Sequence, residues 1–99
     1  MLLNVGIGVI GTSAATEAGV GAQIAATTSA AAEAITGVLP MGADLDSIQF
    51  AAALNAAGAS YIAAAGVHLA NRNLFASAQG LAAATYAASD AVSNAALAL

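Results

Sequence analysis

The side chain best suited to acid–base or metal chemistry is His68, the only histidine in the chain. An imidazole that acts as a general base or binds zinc needs carboxylates, thiolates or further imidazoles converging on it. Its neighbours Val67, Leu69 and Asn71 supply none of these, and the chain contains no cysteine. We therefore interpret His68 as a residue of a helical interface, and we predict no catalytic and no metal-binding residue. An enzyme built around His68 stays open only if an acidic group reaches it from elsewhere in the fold.

Three glycines near the start, Gly6, Gly8 and Gly11, form the Gly-x-Gly-x-x-Gly pattern of dinucleotide-binding loops. Such a site also requires a preceding strand, an α/β unit and an acidic residue further along the chain. This chain is short and its pattern is helical, so we interpret the match as a coincidence. We predict no cofactor.

Tyr86 and Asp90 are the last pair whose spacing suggests a function. Residues four apart lie on the same face of a helix, so a phenol and a carboxylate would be neighbours. From spacing alone, a surface pair near the end of a helix is the simplest interpretation.

Charge excludes several classes of partner. The chain has 99 residues, a formal net charge of −4 and one basic residue besides its histidine, Arg72. Nucleic-acid binding needs a basic face that neutralises phosphates, and an anionic membrane surface attracts polybasic segments, so we expect neither partner. Only 6% of the residues are charged and 61% are hydrophobic. A surface with so little charge is poorly protected against association, which favours a bound protein partner.

The apolar composition also raises the question of a membrane. A spanning helix needs about 20 mainly apolar residues, and residues 51–70 come closest, although Asn55, Ser60 and His68 interrupt them. A self-assembling or membrane-active small helical protein is therefore the alternative interpretation. The first eight residues contain no lysine or arginine, whereas a secretory signal peptide begins with a basic region. We expect any export to proceed without a cleaved signal peptide.

Two predicted helices position these residues. The sequence therefore predicts an all-α fold, a single domain arranged as an antiparallel two-helix hairpin. Residues 1–11 are expected to be a loose lead-in, and the first helix is predicted over about 12–36, with Thr12 or Ser13 as its cap. Residues 37–44 form the predicted turn. There Gly37 suits a left-handed position after a helix, and the chain's one proline, Pro40, cannot continue the helix.

The second helix is predicted over 45–84, with Asp44 at its N-cap and a frayed tail over 85–99. Its larger side chains recur every seven residues, a spacing that keeps one seam against a neighbouring helix. This series comprises Leu54, Tyr61, His68 and Phe75, with Phe50 four residues before it and Val67, Leu74 and Leu81 on a flank. It is wider than two helices need, so a hairpin with a further helical surface beside it explains the pattern best.

Taken together, these residues resemble the mycobacterial PE family. The resemblance rests on Val38-Leu39-Pro40 followed by Gly42-Ala43-Asp44, on Ser47 and Phe50, and on the spaced residues Tyr61, His68 and Phe75. Tyr86-Ala87-Ala88-Ser89-Asp90 matches the family's Tyr-x-x-x-Asp/Glu element. The likeness covers residues 37–90 well, and residues 12–36 only through their alanine-rich helical character. The Pro-Glu pair that gives the family its name is missing, and Ile7-Gly8 stands at about its position.

The resemblance implies a hairpin that pairs lengthwise with a PPE-family protein and completes a four-helix bundle. It implies a non-enzymatic, secreted heterodimer exported by a type VII secretion system. An EspG-type chaperone would bind through the PPE partner, and Tyr86 and Asp90 would form the export signal. Under this hypothesis the hairpin seam or the partner seam is lined by Phe50, Leu54, Tyr61, His68 and Phe75.

Overall fold

The computed structural model describes residues 4–99, which form two α-helices and no strand. Helix α1 is Ile7–Thr36 and helix α2 is Leu45–Leu97. The all-α helical hairpin predicted from the sequence is confirmed. The four-helix bundle with a partner stays a prediction.

Helix α1 begins earlier than expected. Ile10 N–H already donates to the Gly6 carbonyl at 3.0 Å, so residues 7–11 of the predicted lead-in are helical, and its first three residues lie outside the described part. Thr12 does not cap the helix, because its hydroxyl donates to the Gly8 carbonyl one turn back at 2.9 Å. A glycine costs a helix only about 1 kcal/mol relative to alanine. This cost does not prevent the helix here, where the glycines are separated by other residues such as Val9.

The turn corrects a second expectation, because Gly37 is not left-handed and no described glycine has a positive φ. Instead, its N–H donates to the Glu33 carbonyl at 2.9 Å and continues the helical hydrogen-bond pattern by one residue. A Cβ on Gly37 would lie 2.8 Å from that same carbonyl oxygen. Glycine is therefore required here by lack of space rather than by backbone conformation.

Asp44 is the N-cap of α2, as predicted. Ser47 N–H donates to Asp44 Oδ2 at 3.0 Å, and the Ser47 hydroxyl donates to Asp44 Oδ1 at 2.8 Å. These two bonds, the backbone N–H first, hold the pKa of the Asp44 carboxyl below its ordinary value because both stabilise the charged form. The cap satisfies an amide that would otherwise be unpaired in the first turn.

Helix α2 also ends later than expected. The predicted stop at residue 84 and the frayed tail after it are wrong, since the helix continues to Leu97. Residues 81–98 contain no proline or glycine and nine of them are alanine, the best helix former. Tyr86 and Asp90 are consequently helical residues.

The structure divides into two compact units. The turn unit is Ala22–Ala70; it contains the second part of α1, the turn and the first part of α2. The terminal unit is the chain as far as Gly21 together with Asn71–Leu99. In each unit a segment of α1 packs against a segment of α2, and each unit is described by itself below.

Both units have very small cores. The buried residues are Ala51 and Gly58 in the turn unit and Gly21 and Ala83 in the terminal unit, and no large side chain among the described residues is fully buried. The accessible surface is 7067 Å², whereas a compact monomer of this mass exposes about 5,000 Å². The chain leaves an unusually large area uncovered.

The face of α2 that packs on α1 follows an alternating spacing of three and four residues. We call these residues the contact stripe. In the turn unit they are Ala51, Asn55, Gly58, Ile62, Ala65 and Leu69, and in the terminal unit they are Arg72, Ala76, Gln79 and Ala83.

Candidate partner interface

The closest approach of the two helices in the turn unit is at Gly58. A Cβ added there would overlap the backbone carbonyl oxygen of Ile35 and would lie 2.7 Å from its carbonyl carbon. Only glycine lets the α2 backbone come this near to α1. Gly58 was not predicted as a contact residue, although its place among small residues at three- and four-residue spacing was a usable signal.

Asn55, one turn before Gly58, joins α2 to the turn. Val38 N–H donates to Asn55 Oδ1 at 2.8 Å, and Asn55 Nδ2 donates to the Val38 carbonyl at 3.1 Å. One side chain thereby satisfies both backbone groups of a residue that lies beyond the end of α1. The sequence analysis treated Asn55 only as a polar interruption and missed this role.

Large apolar side chains lie beside the contact stripe of the turn unit. Phe50, Leu54 and Tyr61 are 60%, 41% and 61% exposed. Since they are spaced by four and seven residues, they lie on one side of α2. Two grooves adjoin them, one of about 590 Å³ with Ile35, Val38, Leu54, Gly58 and Tyr61 in its lining, and one of about 170 Å³ at the turn between Leu39, Met41, Phe50 and Leu54. We call this surface the apolar flank.

The other flank of the turn unit has a different character. A groove of about 350 Å³ lies there, with Thr28, Ser29 and Gly66 in its lining. The large residues that reach it are Ile24 of α1 and Ile62 and Leu69 of the contact stripe, and all three are half-buried. We call this surface the small-residue flank. The turn unit therefore presents two unlike surfaces.

The predicted seam of Leu54, Tyr61, His68 and Phe75 does not face α1. All four residues are exposed, and each directly precedes a residue of the contact stripe. The residues that face α1 are in each case the next ones along the chain, so these four side chains lie beside the contact stripe and not in it. Their assignment, with Phe50, to a seam with a partner stays a prediction.

The terminal unit is closed by polar contacts. Arg72 Nη2 donates to Glu17 Oε2 at 2.6 Å, and both side chains are about a quarter exposed, at 26% and 28%. Gln79 Nε2 donates to Ser13 Oγ at 2.9 Å. Arg72 Nε and Gln79 Oε1 are buried without a hydrogen-bond partner among the described residues. The cost of burying them offsets part of the stability that these contacts contribute. The sequence analysis had noted Arg72 as the lone cation but had not paired it.

Tyr86 and Asp90 lie in the terminal unit, on α2. They take the next two positions after Gln79 and Ala83 in the spacing of the contact stripe. Tyr86 is 45% exposed, and Asp90 is exposed as well. The helix brings this predicted pair onto one face, close to the last turns of α2.

Within residues 4–99 no three histidine, cysteine or acidic side chains come together as a metal site. His68 lies exposed on α2. By length and composition, α2 is apolar enough to cross a membrane, with a stretch of mean hydropathy 1.4 of which 6% is buried.

Comparison with known proteins identifies the family to which this helical hairpin belongs. A search of curated proteins and a search of solved structures each find no match. The model of the PE family matches residues 3–96, almost the whole length of the chain. The match spans both helices and the turn between them, so the chain belongs to the PE family.

Proposed function

We propose that this protein is a non-enzymatic substrate of a type VII secretion system and that it forms a heterodimer with a PPE-family protein. The observation that carries the proposal is the exposure of large apolar side chains beside a core made only of alanine and glycine. A second helical hairpin laid on these side chains would complete a four-helix bundle. Family membership supports the same partner.

The uncovered area is large enough for a stable interface. The chain exposes about 2,000 Å² more than a compact monomer of its mass. A standard interface between two proteins buries about 800 Å² on each partner. One partner of similar helical length can therefore cover a substantial part of the excess.

Export is proposed to depend on Tyr86 and Asp90, and an EspG-type chaperone is proposed to bind the complex through the PPE partner. The two side chains are exposed on one face of α2 and could be recognised together. The protein is then secreted or held at the cell surface, having left the cytoplasm without a cleaved signal peptide.

Co-expression with candidate PPE proteins tests the pairing. We expect a soluble complex of one copy of each chain, seen as a single species by light scattering. Recovery of only homo-oligomers with every candidate would contradict the pairing.

The export signal is tested separately in a host with a type VII system. We expect Tyr86→Ala and Asp90→Ala to abolish secretion while the partner complex still forms in the cytoplasm. Ser89→Ala, a neighbour on the same helical turn, serves as the matched control and should be exported. Normal secretion of both the Tyr86 and the Asp90 variants would show that the signal lies elsewhere.

A second candidate function, membrane association, is favoured by the apolar stretch of α2. Flotation with neutral phosphatidylcholine vesicles distinguishes membrane association from protein pairing, and it is measured for the purified chain and for its complex with a PPE-family protein. If the complex stays in the soluble fraction under these conditions, the apolar surface serves protein pairing.

A further inference from the structure

The two halves of α1 differ in composition and in what they pack against. From this difference we infer that the first half, residues 7–21, opens from α2 while the turn unit stays closed, and that opening uncovers the face of α2 on which Tyr86 lies. We call residues 7–21 the cover segment. The inference deepens the proposed export function and rests on it for the role of Tyr86, whereas the opening itself is measured without export.

The cover segment is the weaker half of the helix. It contains four glycines and three alanines, whereas residues 22–36 contain no glycine and seven alanines. Alanine is the best helix former and glycine is among the worst. An isolated helix of about 15 residues is marginal even when it is rich in alanine. The cover segment therefore keeps its helical form only while it packs on α2. Gly19 and Gly21 stand at its end, where the terminal unit ends on α1.

The part of α2 that faces the cover segment holds it weakly. In the terminal unit the contact stripe has no aliphatic side chain larger than alanine, whereas in the turn unit it includes Ile62 and Leu69. The half-buried aliphatic side chains larger than alanine in the cover segment are Ile7, Ile10 and Val20. Because α2 offers them only alanine and polar side chains, the two helices share little apolar area here.

The polar contacts of the terminal unit add little to this hold. Arg72 Nε and Gln79 Oε1 are buried without a hydrogen-bond partner among the described residues. Both atoms regain hydrogen bonds to water when the cover segment moves away, so opening relieves a cost of the closed form. The ion pair of Arg72 with Glu17 is about a quarter exposed, at 26% and 28%, and such pairs contribute little stability.

Tyr86 lies on the same face of α2 as the contact stripe. It takes the next position after Ala83 in that spacing. Its side chain is 45% exposed, whereas Val92 and Leu97, further along the helix, are 71% and 86% exposed. When the cover segment leaves, this face of α2 is free as far as Asp90. Opening therefore increases access to the proposed export signal.

Hydrogen exchange followed by mass spectrometry tests the opening, in the soluble complex with a PPE-family protein. We expect the amides of residues 11–20 to exchange at least tenfold faster than those of residues 25–35. Equal exchange rates in the two halves of α1 would overturn the inference.

A double variant, Gly11→Ala with Gly19→Ala, tests the cause of the opening. Beyond the adjoining helix backbone, no heavy atom lies within 4 Å of either added Cβ, so the variant strengthens the helix without a new contact. It should slow exchange over residues 11–20 at least tenfold, since each substitution favours the helix by about fivefold.

Gly80→Ala is the matched control for the double variant. This glycine lies in the same unit but on α2, and its added Cβ also meets nothing within 4 Å. The substitution strengthens α2 and leaves α1 unchanged, so exchange over residues 11–20 should stay within about twofold of the natural protein. Equal slowing by Gly80→Ala, or no slowing by the double variant, would show that the cover segment does not open by itself.

Secretion from a host with a type VII system tests the consequence for Tyr86. We expect the double variant to be secreted at least threefold less than the natural protein, while Gly80→Ala is secreted normally and both variants form the partner complex. Normal secretion of the double variant, where Tyr86→Ala is retained in the cytoplasm, would overturn the role of the cover segment and leave the export signal standing. Normal secretion of Tyr86→Ala would instead overturn the export signal itself.

Discussion

The two units of the hairpin close α1 on α2 by different chemistry. In the turn unit the backbones come closest at Gly58, one asparagine binds the backbone of Val38, and Ile62 and Leu69 are half-buried against α1. In the terminal unit an ion pair and an amide bonded to a hydroxyl join the helices beside small residues such as Ala83. Close packing of small residues gains little from apolar burial, and partly exposed polar pairs are weak. Neither unit has a large buried apolar core, and each leaves large apolar side chains exposed, such as Phe50 in the turn unit and Leu81 in the terminal unit.

The largest expected effect is in the turn unit, at Gly58. In Gly58→Ala the new Cβ overlaps the Ile35 carbonyl oxygen, a backbone atom that cannot rotate away. We expect the free energy of unfolding of the partner complex to fall by about 3 kcal/mol, the upper range for overpacking. Denaturant titration followed by circular dichroism measures it.

Gly66→Ala is the matched control for this substitution, since no heavy atom lies within 4 Å of its added Cβ. This change should stabilise α2 by up to about 1 kcal/mol, because alanine is the better helix former. If the two variants are equally stable, the close approach at Gly58 does not hold the turn unit together.

Asn55 is expected to have the next largest effect. Asn55→Ala leaves both the N–H and the carbonyl of Val38 without their partner in a half-buried position. We expect a loss of about 1–3 kcal/mol in the same measurement. Asn71→Ala, at an exposed position of the terminal unit, should stay within about 0.5 kcal/mol of the natural protein. Equal stability of the two variants would show that the hydrogen bonds of the Asn55 side chain do not stabilise the fold.

The ion pair of the terminal unit should contribute less. A double-mutant cycle with Glu17→Gln and Arg72→Gln is expected to give a coupling energy of about 1 kcal/mol, which declines at high salt. Glu33→Gln, an exposed acid of the same helix, is the control and should change little. Strict additivity of the two substitutions would mean that the contact adds no stability.

The smallest effect concerns the cap at Asp44. Because hydrogen bonds lower the pKa of its carboxyl in the folded protein, its contribution is fully present above the ordinary aspartate pKa of about 4. It is lost as the pH falls through the lowered value. The difference in melting temperature between the natural protein and Asp44→Asn should therefore shrink on acidification below about pH 4. Melting curves that keep a constant separation would contradict this assignment.

Local features of the fold could be predicted from the sequence, but contacts between the helices could not. Asp44 as a cap depends on residues within three positions, so the sequence alone was sufficient. The contact stripe was missed because the small residues and the large ones recur at the same spacing, and the pattern of large side chains such as Tyr61 left open whether they line the hairpin seam or a partner seam. The close backbone approach at Gly58 depends on the register of the two helices, which a single sequence does not give.

The predicted bounds of the two helices were wrong, and the ion pair between them was not predicted. We gave too much weight to Gly8 and Gly11 at the start of α1, and too little to the alanines that carry α2 to Leu97. The pairing of Arg72 with Glu17 requires the relative register of two helices, which a single sequence does not reveal. A lone cation among five acids indicates that a pair exists but not which acid it uses.

If this hairpin is half of a folded unit, as we propose, the chain expressed alone should lack a stable fold. Size-exclusion chromatography with light scattering, followed by thermal unfolding under circular dichroism, gives its molar mass and its cooperativity. We expect aggregates, or a weakly folded chain whose unfolding becomes cooperative only in the presence of its partner. A monomer of 9.3 kDa that unfolds in one sharp transition would contradict this expectation.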